Sequence, residues 1–208
     1  MKFSTQKLVT ILALTACLGA CAPVMLGGAV MGTLMATDRR TAGTQVEDEG
    51  IELRGASHIR EKLGERGHVN VTSYNRQVLL TGEVPSAQDK QLVEQLLSKV
   101  ENVRSIVNEL GVMENSSLSQ RSSDTLVTGK IKATLVDAQD LFANAFKVVT
   151  ERGTVYLMGR VTQREANRAT DMVRTIDGVK KVVRVMEIIS EEELQRVQPK
   201  PAPAETKK

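Results

Sequence analysis

The chain has 208 residues but no tryptophan, and its only aromatic side chains are two tyrosines and three phenylalanines. Bases therefore have no stacking platform on which to bind. Charge gives nucleic acid no better footing. With 28 basic and 25 acidic residues the formal charge is +3, and losing Lys2 and Lys7 with residues 1–20 leaves 26 against 25, about +1, which is not the basic excess of a phosphate-tracking surface. Histidine is just as scarce. His58 falls on a predicted helix and His68 in a predicted loop, so solvated imidazoles are expected, and a metal held with Glu61 or Glu65 is the weaker alternative.

Catalytic groups are missing as well. Ser122 and Ser123 precede Asp124 as capping residues of a helix would, and do not look like nucleophiles. Gly27 to Gly32 does not follow a strand in a βαβ unit, so it is no nucleotide fingerprint. Arg164 and Arg168, one turn apart, fit a solvated helix face better than a phosphate grip. No enzyme activity, cofactor or metal is indicated.

There are only two cysteines, and the apolar runs near the start are short or broken by glycine. Behind Lys2 and Lys7 the run Leu8 to Leu14 is too brief to cross a bilayer, for which roughly 20 apolar residues are needed. Leu18-Gly19-Ala20-Cys21 follows it and has the form of a lipoprotein processing site, so residues 1–20 are expected to be a signal peptide and Cys21 to carry an S-diacylglycerol and an N-acyl chain. Leu14-Thr15-Ala16-Cys17 fits the same pattern, which makes Cys17 a rival, but cleavage there leaves a shorter apolar segment. With Cys21 acylated and Cys17 removed, no thiol pair is left for a disulfide or a metal. Ala22 stands where an aspartate would favour retention at the inner membrane, which points to the periplasmic face of the outer membrane.

Composition changes again further along. Residues 21–50 are expected to be a lipidated, Gly-rich linker; Gly28 and Gly32 have a helix-packing spacing, but the glycine content favours a tether. Residues 114–122 form a polar, Ser-rich connector between two halves, 51–113 and 123–190. Residues 191–208, with Pro199, Pro201 and Pro203 among Ala and Lys, are expected to be a disordered tail.

The halves repeat. Val71, Val78, Leu80, Gly82 and Val84 correspond to Val148, Val155, Leu157, Gly159 and Val161. Each block holds two period-two runs around a polar turn, Tyr74 to Gln77 and Glu151 to Thr154, as a β-hairpin requires. The recurring glycine predicts a bulge or a close backbone approach. A helical face follows each hairpin, formed by Val93, Leu96, Leu97 and Val100 in one half and by Ala169, Met172, Val173 and Ile176 in the other, and then a further strand. Helices are predicted ahead of the hairpins, over 51–63 and 124–136. Each half is then α-β-β-α-β: an α+β unit with two helices on one face of a three-stranded sheet.

The segments Val78 to Val84 and Val155 to Val161 resemble the BON domain family, and two such units behind a lipidation site resemble its dual-BON outer-membrane lipoproteins. Similarity extends to Thr37-Asp38-Arg39-Arg40, Gly43 to Asp48 and Asp124 to Thr128. The resemblance implies a non-catalytic envelope protein that supports outer-membrane integrity, with anionic phospholipid, phosphatidylglycerol-like, bound by the second domain.

The residues themselves point to that domain. On the helix from Asp124, Val127, Ile131 and Leu135 should enter the core, leaving Leu126, Gly129, Ala133 and Val136 outward with Lys130 and Lys132 beside them. Such a face offers acyl contact and head-group charge, with Val127 expected to share the contact if Leu126, where dual-BON relatives tend to carry an aromatic, proves weak. A shift of 72 positions sets Arg54, Ser57, Glu61 and Gly64 against the outward four, a polar surface. Residues 51–112 carry 8 basic and 8 acidic side chains, whereas 124–190 carry 11 and 8. The alternative is a scaffold that docks an envelope protein partner, or a face that docks on the first domain.

Overall fold

The computed structural model describes residues 38–197. The expectations for Cys17, Cys21, the glycine-rich stretch to Thr37 and the tail from Gln198 fall outside them. Among the described residues the order is helix α1 (Ala42–Leu63), strands β1 (His68–Tyr74) and β2 (Gln77–Val84), helix α2 (Ala87–Leu97), strands β3 (Ser105–Asn108) and β4 (Gly111–Val112), helix α3 (Leu118–Asp137), strands β5 (Phe146–Glu151) and β6 (Thr154–Val161), helix α4 (Gln163–Arg174), strand β7 (Lys181–Ile188) and helix α5 (Glu191–Val197).

Each hairpin is antiparallel, and the strand after the second helix pairs in parallel with the hairpin's second strand. The result is the predicted αββαβ unit, twice, with the short β4 pairing beside β2 to give the first sheet a fourth strand. β2 is buried on both faces: Val78, Leu80 and Val84 meet Ile51, Ile59, Val93 and Leu97 beneath the helices, while Leu79 points the other way. In the second unit Val127, Ile131, Leu135, Ala169 and Val173 cover Val148, Val155, Leu157 and Val161. Tyr74 and Leu79 from the first sheet join Tyr156, Met158 and Val185 from the second in a third apolar cluster. The units thus meet sheet to sheet, with their helices outside. The glycine reading holds as a close approach: a Cβ at Gly82 would lie 2.0 Å from the His68 carbonyl oxygen, and one at Gly159 2.3 Å from that of Ala145.

The hairpin turns explain the helices that precede them. Asn75 and Arg76, then Arg152 and Gly153, have positive φ, the form a two-residue hairpin turn prefers. Asp48 in α1 accepts the N–H groups of Asn75 and Arg76 at 2.8 and 2.7 Å; Asp124 in α3 accepts those of Arg152 and Gly153 at 2.8 and 2.9 Å. Both carboxylates are buried.

These aspartates correct several boundaries. Asp48 and Asp124 lie inside their helices. α1 begins at Ala42 behind the Thr41 cap, and α3 at Leu118 behind Ser117. Ser122 and Ser123 are therefore mid-helix residues, the connector is shorter than 114–122, and 42–50 is helix instead of linker. Beyond Ser190, α5 buries Leu194, so the chain from 191 does not all lack a packed side chain.

Candidate functional site

Two regions gather the polar and exposed groups. The first is the outer side of α3. Leu126 and Val136 are each 70% exposed, Gly129 has no heavy atom within 4 Å of an added Cβ, and Ala133 is exposed. Lys130 is exposed, with only a loose 3.7 Å approach to Asp177, and Lys132 is exposed beside it. Val127 does not belong to this face. It is 5% exposed and packs in the core, where a Cβ at Gly178 would lie 2.6 Å from it, so it holds the helix in place.

Leu118, 79% exposed, extends the stripe by two turns and was not foreseen. Positions 118, 122, 125, 129, 133 and 136 fall on one line of a 3.6-residue helix. The signal was in the sequence, but it lay ahead of the assumed start at Asp124. Among the described residues no helix is long and apolar enough to cross a membrane.

The 72-position shift used to compare the helices is also corrected. Because Asp48 and Asp124 have the same role, the true offset is 76, which sets Gly50, Leu53, Ser57 and Arg60 against Leu126, Gly129, Ala133 and Val136. The first helix is not purely polar outside: Leu53 is 73% exposed, and Val46 is exposed about two turns earlier. Charge separates the two better. α1 holds five acidic and three basic residues, net −2; α3 holds two acidic and three basic, net +1.

The second region is the seam between the units. Arg39 is buried and bonds both carboxylate oxygens of Glu165, at 2.7 and 2.8 Å, and the Arg160 carbonyl at 2.8 Å. Its neighbour Arg40 turns to the first unit, pairing with Asp48 at 2.8 Å and lying 4.2 Å over the Tyr74 ring. Burial works to raise the Glu165 pKa, but the Arg39 hydrogen bonds and the Thr162 N–H outweigh it and hold the group below the usual carboxylate range.

Further along the seam Lys147 reaches Glu52 at 2.6 Å, and Glu187 accepts from Asn75 at 2.7 Å and Arg104 at 2.8 Å. At the end nearest α3, Glu83 is 1% exposed and accepts from Arg152, from His68 Nδ1 at 3.1 Å and from the Ser116 N–H at 3.2 Å. His68 is thus a strand residue against a carboxylate, neither in a loop nor beside Glu61 or Glu65. A cleft of about 170 Å³ opens there, lined by His68, Glu151 and, from α3, Arg121, Asp124, Thr125 and Thr128.

Comparison with known proteins places these regions in a family context. A model of the BON domain matches residues 53–114 and 123–190. The chain is 37% identical over 186 residues to outer membrane lipoprotein DolP of Haemophilus influenzae, spanning 88% of this chain and 96% of that one. It is 35% identical over 154 residues to the 21 kDa hemolysin of Actinobacillus pleuropneumoniae, spanning 73% and 79%. Osmotically-inducible protein Y of Escherichia coli is 31% identical over 117 residues, spanning 55% of this chain.

Proposed function

The chain belongs to the BON domain family, as a tandem pair of the kind found in DolP, and from that premise we propose a lipoprotein held by an acylated Cys21 at the periplasmic face of the outer membrane, where the outer side of α3 meets anionic phospholipid and supports envelope integrity. The role is a binding one and not a catalytic one. The observation that carries it is the pair Leu126 and Val136, exposed on a helix whose flanking charges are Lys130 and Lys132.

Magnitudes suit a second, selective contact. Each apolar side chain taken fully from water contributes about 2 kcal/mol, and each lysine near an anionic surface about 1 kcal/mol. Such a face adds modestly to an acyl anchor that binds any bilayer, while responding to lipid charge, which the anchor does not. The test uses the mature chain carrying Cys21→Ser, which removes acylation, with vesicles of phosphatidylglycerol or phosphatidylcholine. Binding to the first alone, lost in the Leu126→Glu and Val136→Glu variants, supports the reading. Unchanged affinity in both variants rules out this face and leaves the protein-docking scaffold.

A further inference from the structure

We infer that His68, Glu83 and Glu151 form a binding site for one divalent transition-metal ion, which staples the first domain to the second. His68 comes from β1, Glu83 from β2 and Glu151 from β5, so two ligands belong to one domain and the third to the other. One ligand atom of each lies within 4.8 Å of the other two, and His68 Nδ1 is 3.1 Å from a Glu83 oxygen. Ligands at about 2.1 Å from a common ion stand roughly 3 to 4 Å apart, so the histidine and Glu83 are already at that spacing. Glu151 has to close by about 1 to 2 Å at most, within the reach of its side-chain torsions.

Charge supplies an independent argument. Glu83 has Arg152 as its counter-ion. Glu151 has only the neutral Asn70 amide, at 3.1 Å, and among the described residues no lysine or arginine pairs with it. The surroundings suit coordination. Arg152 donates to one Glu83 oxygen and the Ser116 N–H to the other, as outer-shell donors do. The adjoining cleft of about 170 Å³ has room for the waters that would complete the ion's shell. One imidazole with two carboxylates fits zinc, manganese or ferrous iron better than magnesium or calcium, which prefer oxygen alone.

The ion competes with protons for the same ligand atoms: a neutral His68 ring must carry its proton on Nε2 to free the Nδ1 lone pair, which releases no net proton, whereas an imidazolium would lose one. Affinity should therefore fall as pH is lowered.

The full chain in detergent is stripped with EDTA and titrated with Zn²⁺ by calorimetry, and with Co²⁺ followed by its visible absorption. One ion per chain and a raised melting temperature are expected. The His68→Ala variant should lose saturable binding while His58→Ala keeps it. Glu151→Gln should weaken it at least about tenfold, serving as the decisive variant if His68→Ala melts early in EDTA. No saturable binding to the intact chain, or unchanged affinity in a folded His68→Ala or Glu151→Gln protein, overturns the site.

Discussion

Helices α1 and α3 do the same work on their inner sides and different work on their outer sides. Each buries an aspartate that holds two N–H groups of a hairpin turn, then lays a stripe one turn apart into the core: Ile51, Gly55 and Ile59 in α1, Val127, Ile131 and Leu135 in α3. Outside, α1 is acidic with Leu53 among charges, and Arg54 is paired to Glu47 at 2.6 Å; α3 is small, apolar and weakly basic. A duplicated fold keeps what its turn and core demand and leaves the solvent side free to diverge. The difference between the domains therefore lies in net charge and in two or three side chains, and not in architecture.

That comparison can be broken at several points. The largest effect is expected where neither domain stands alone: Arg39→Ala strands Glu165 and should cost about 3–5 kcal/mol, measured by urea unfolding. Acid should act on the same pair. The Glu165 pKa is depressed below its ordinary 4.5, so its contribution is fully present above pH 4.5 and is lost as pH falls through the folded value. The Arg39→Ala protein should show a shallower acid-side loss. An identical slope would mean that other carboxylates govern acid stability.

Next come the turns. Asp124→Ala leaves the Arg152 and Gly153 amides without their carboxylate, at a cost of about 3 kcal/mol. Asp48→Ala should cost more, because Asp48 also accepts from Ser73 Oγ at 2.6 Å and pairs with Arg40, and because its turn has no glycine. Equal melting temperatures for the two variants would show that the first turn gains nothing from the added partners. For lipid, Leu126→Glu should weaken phosphatidylglycerol-vesicle binding by about 2 kcal/mol, some thirtyfold. Leu53→Glu, exposed to the same degree on the acidic helix, should change it less than about twofold; equal losses would end the distinction between the helices. The smallest effect belongs to Lys130→Ala and Lys132→Ala, each about 1 kcal/mol at low salt and fading as salt is raised.

The hairpins, both core stripes and the recurring glycine were legible because strand alternation and a 3.6-residue face leave their mark within a dozen residues. Helix starts were not. A buried aspartate ahead of an apolar stripe has the same pattern as a cap, and the turns before it, Ala42 to Glu47 and Leu118 to Ser123, have too little apolar periodicity to announce themselves. The misplaced comparison of α1 with α3 has a related cause, since offsets of 72 and 76 differ by one helical turn and preserve the inward face. Only the shared task of Asp48 and Asp124 separates them. The seam was invisible for another reason: His68, Glu83 and Glu151 come from three strands in two domains, and nothing local to any of them indicates the other two. Arg39 and Arg40 stood out only as part of a family-like segment.

The placement of those two arginines bears on mechanics. Chain connectivity puts Asp38–Arg40 between Cys21 and everything that folds after it, and the paired side chains grip opposite domains, Arg39 at Glu165 and Arg40 at Asp48 and Tyr74. Tension carried along the chain from a membrane attachment would enter at the joint, loading both domains together instead of peeling α1 from the end of one.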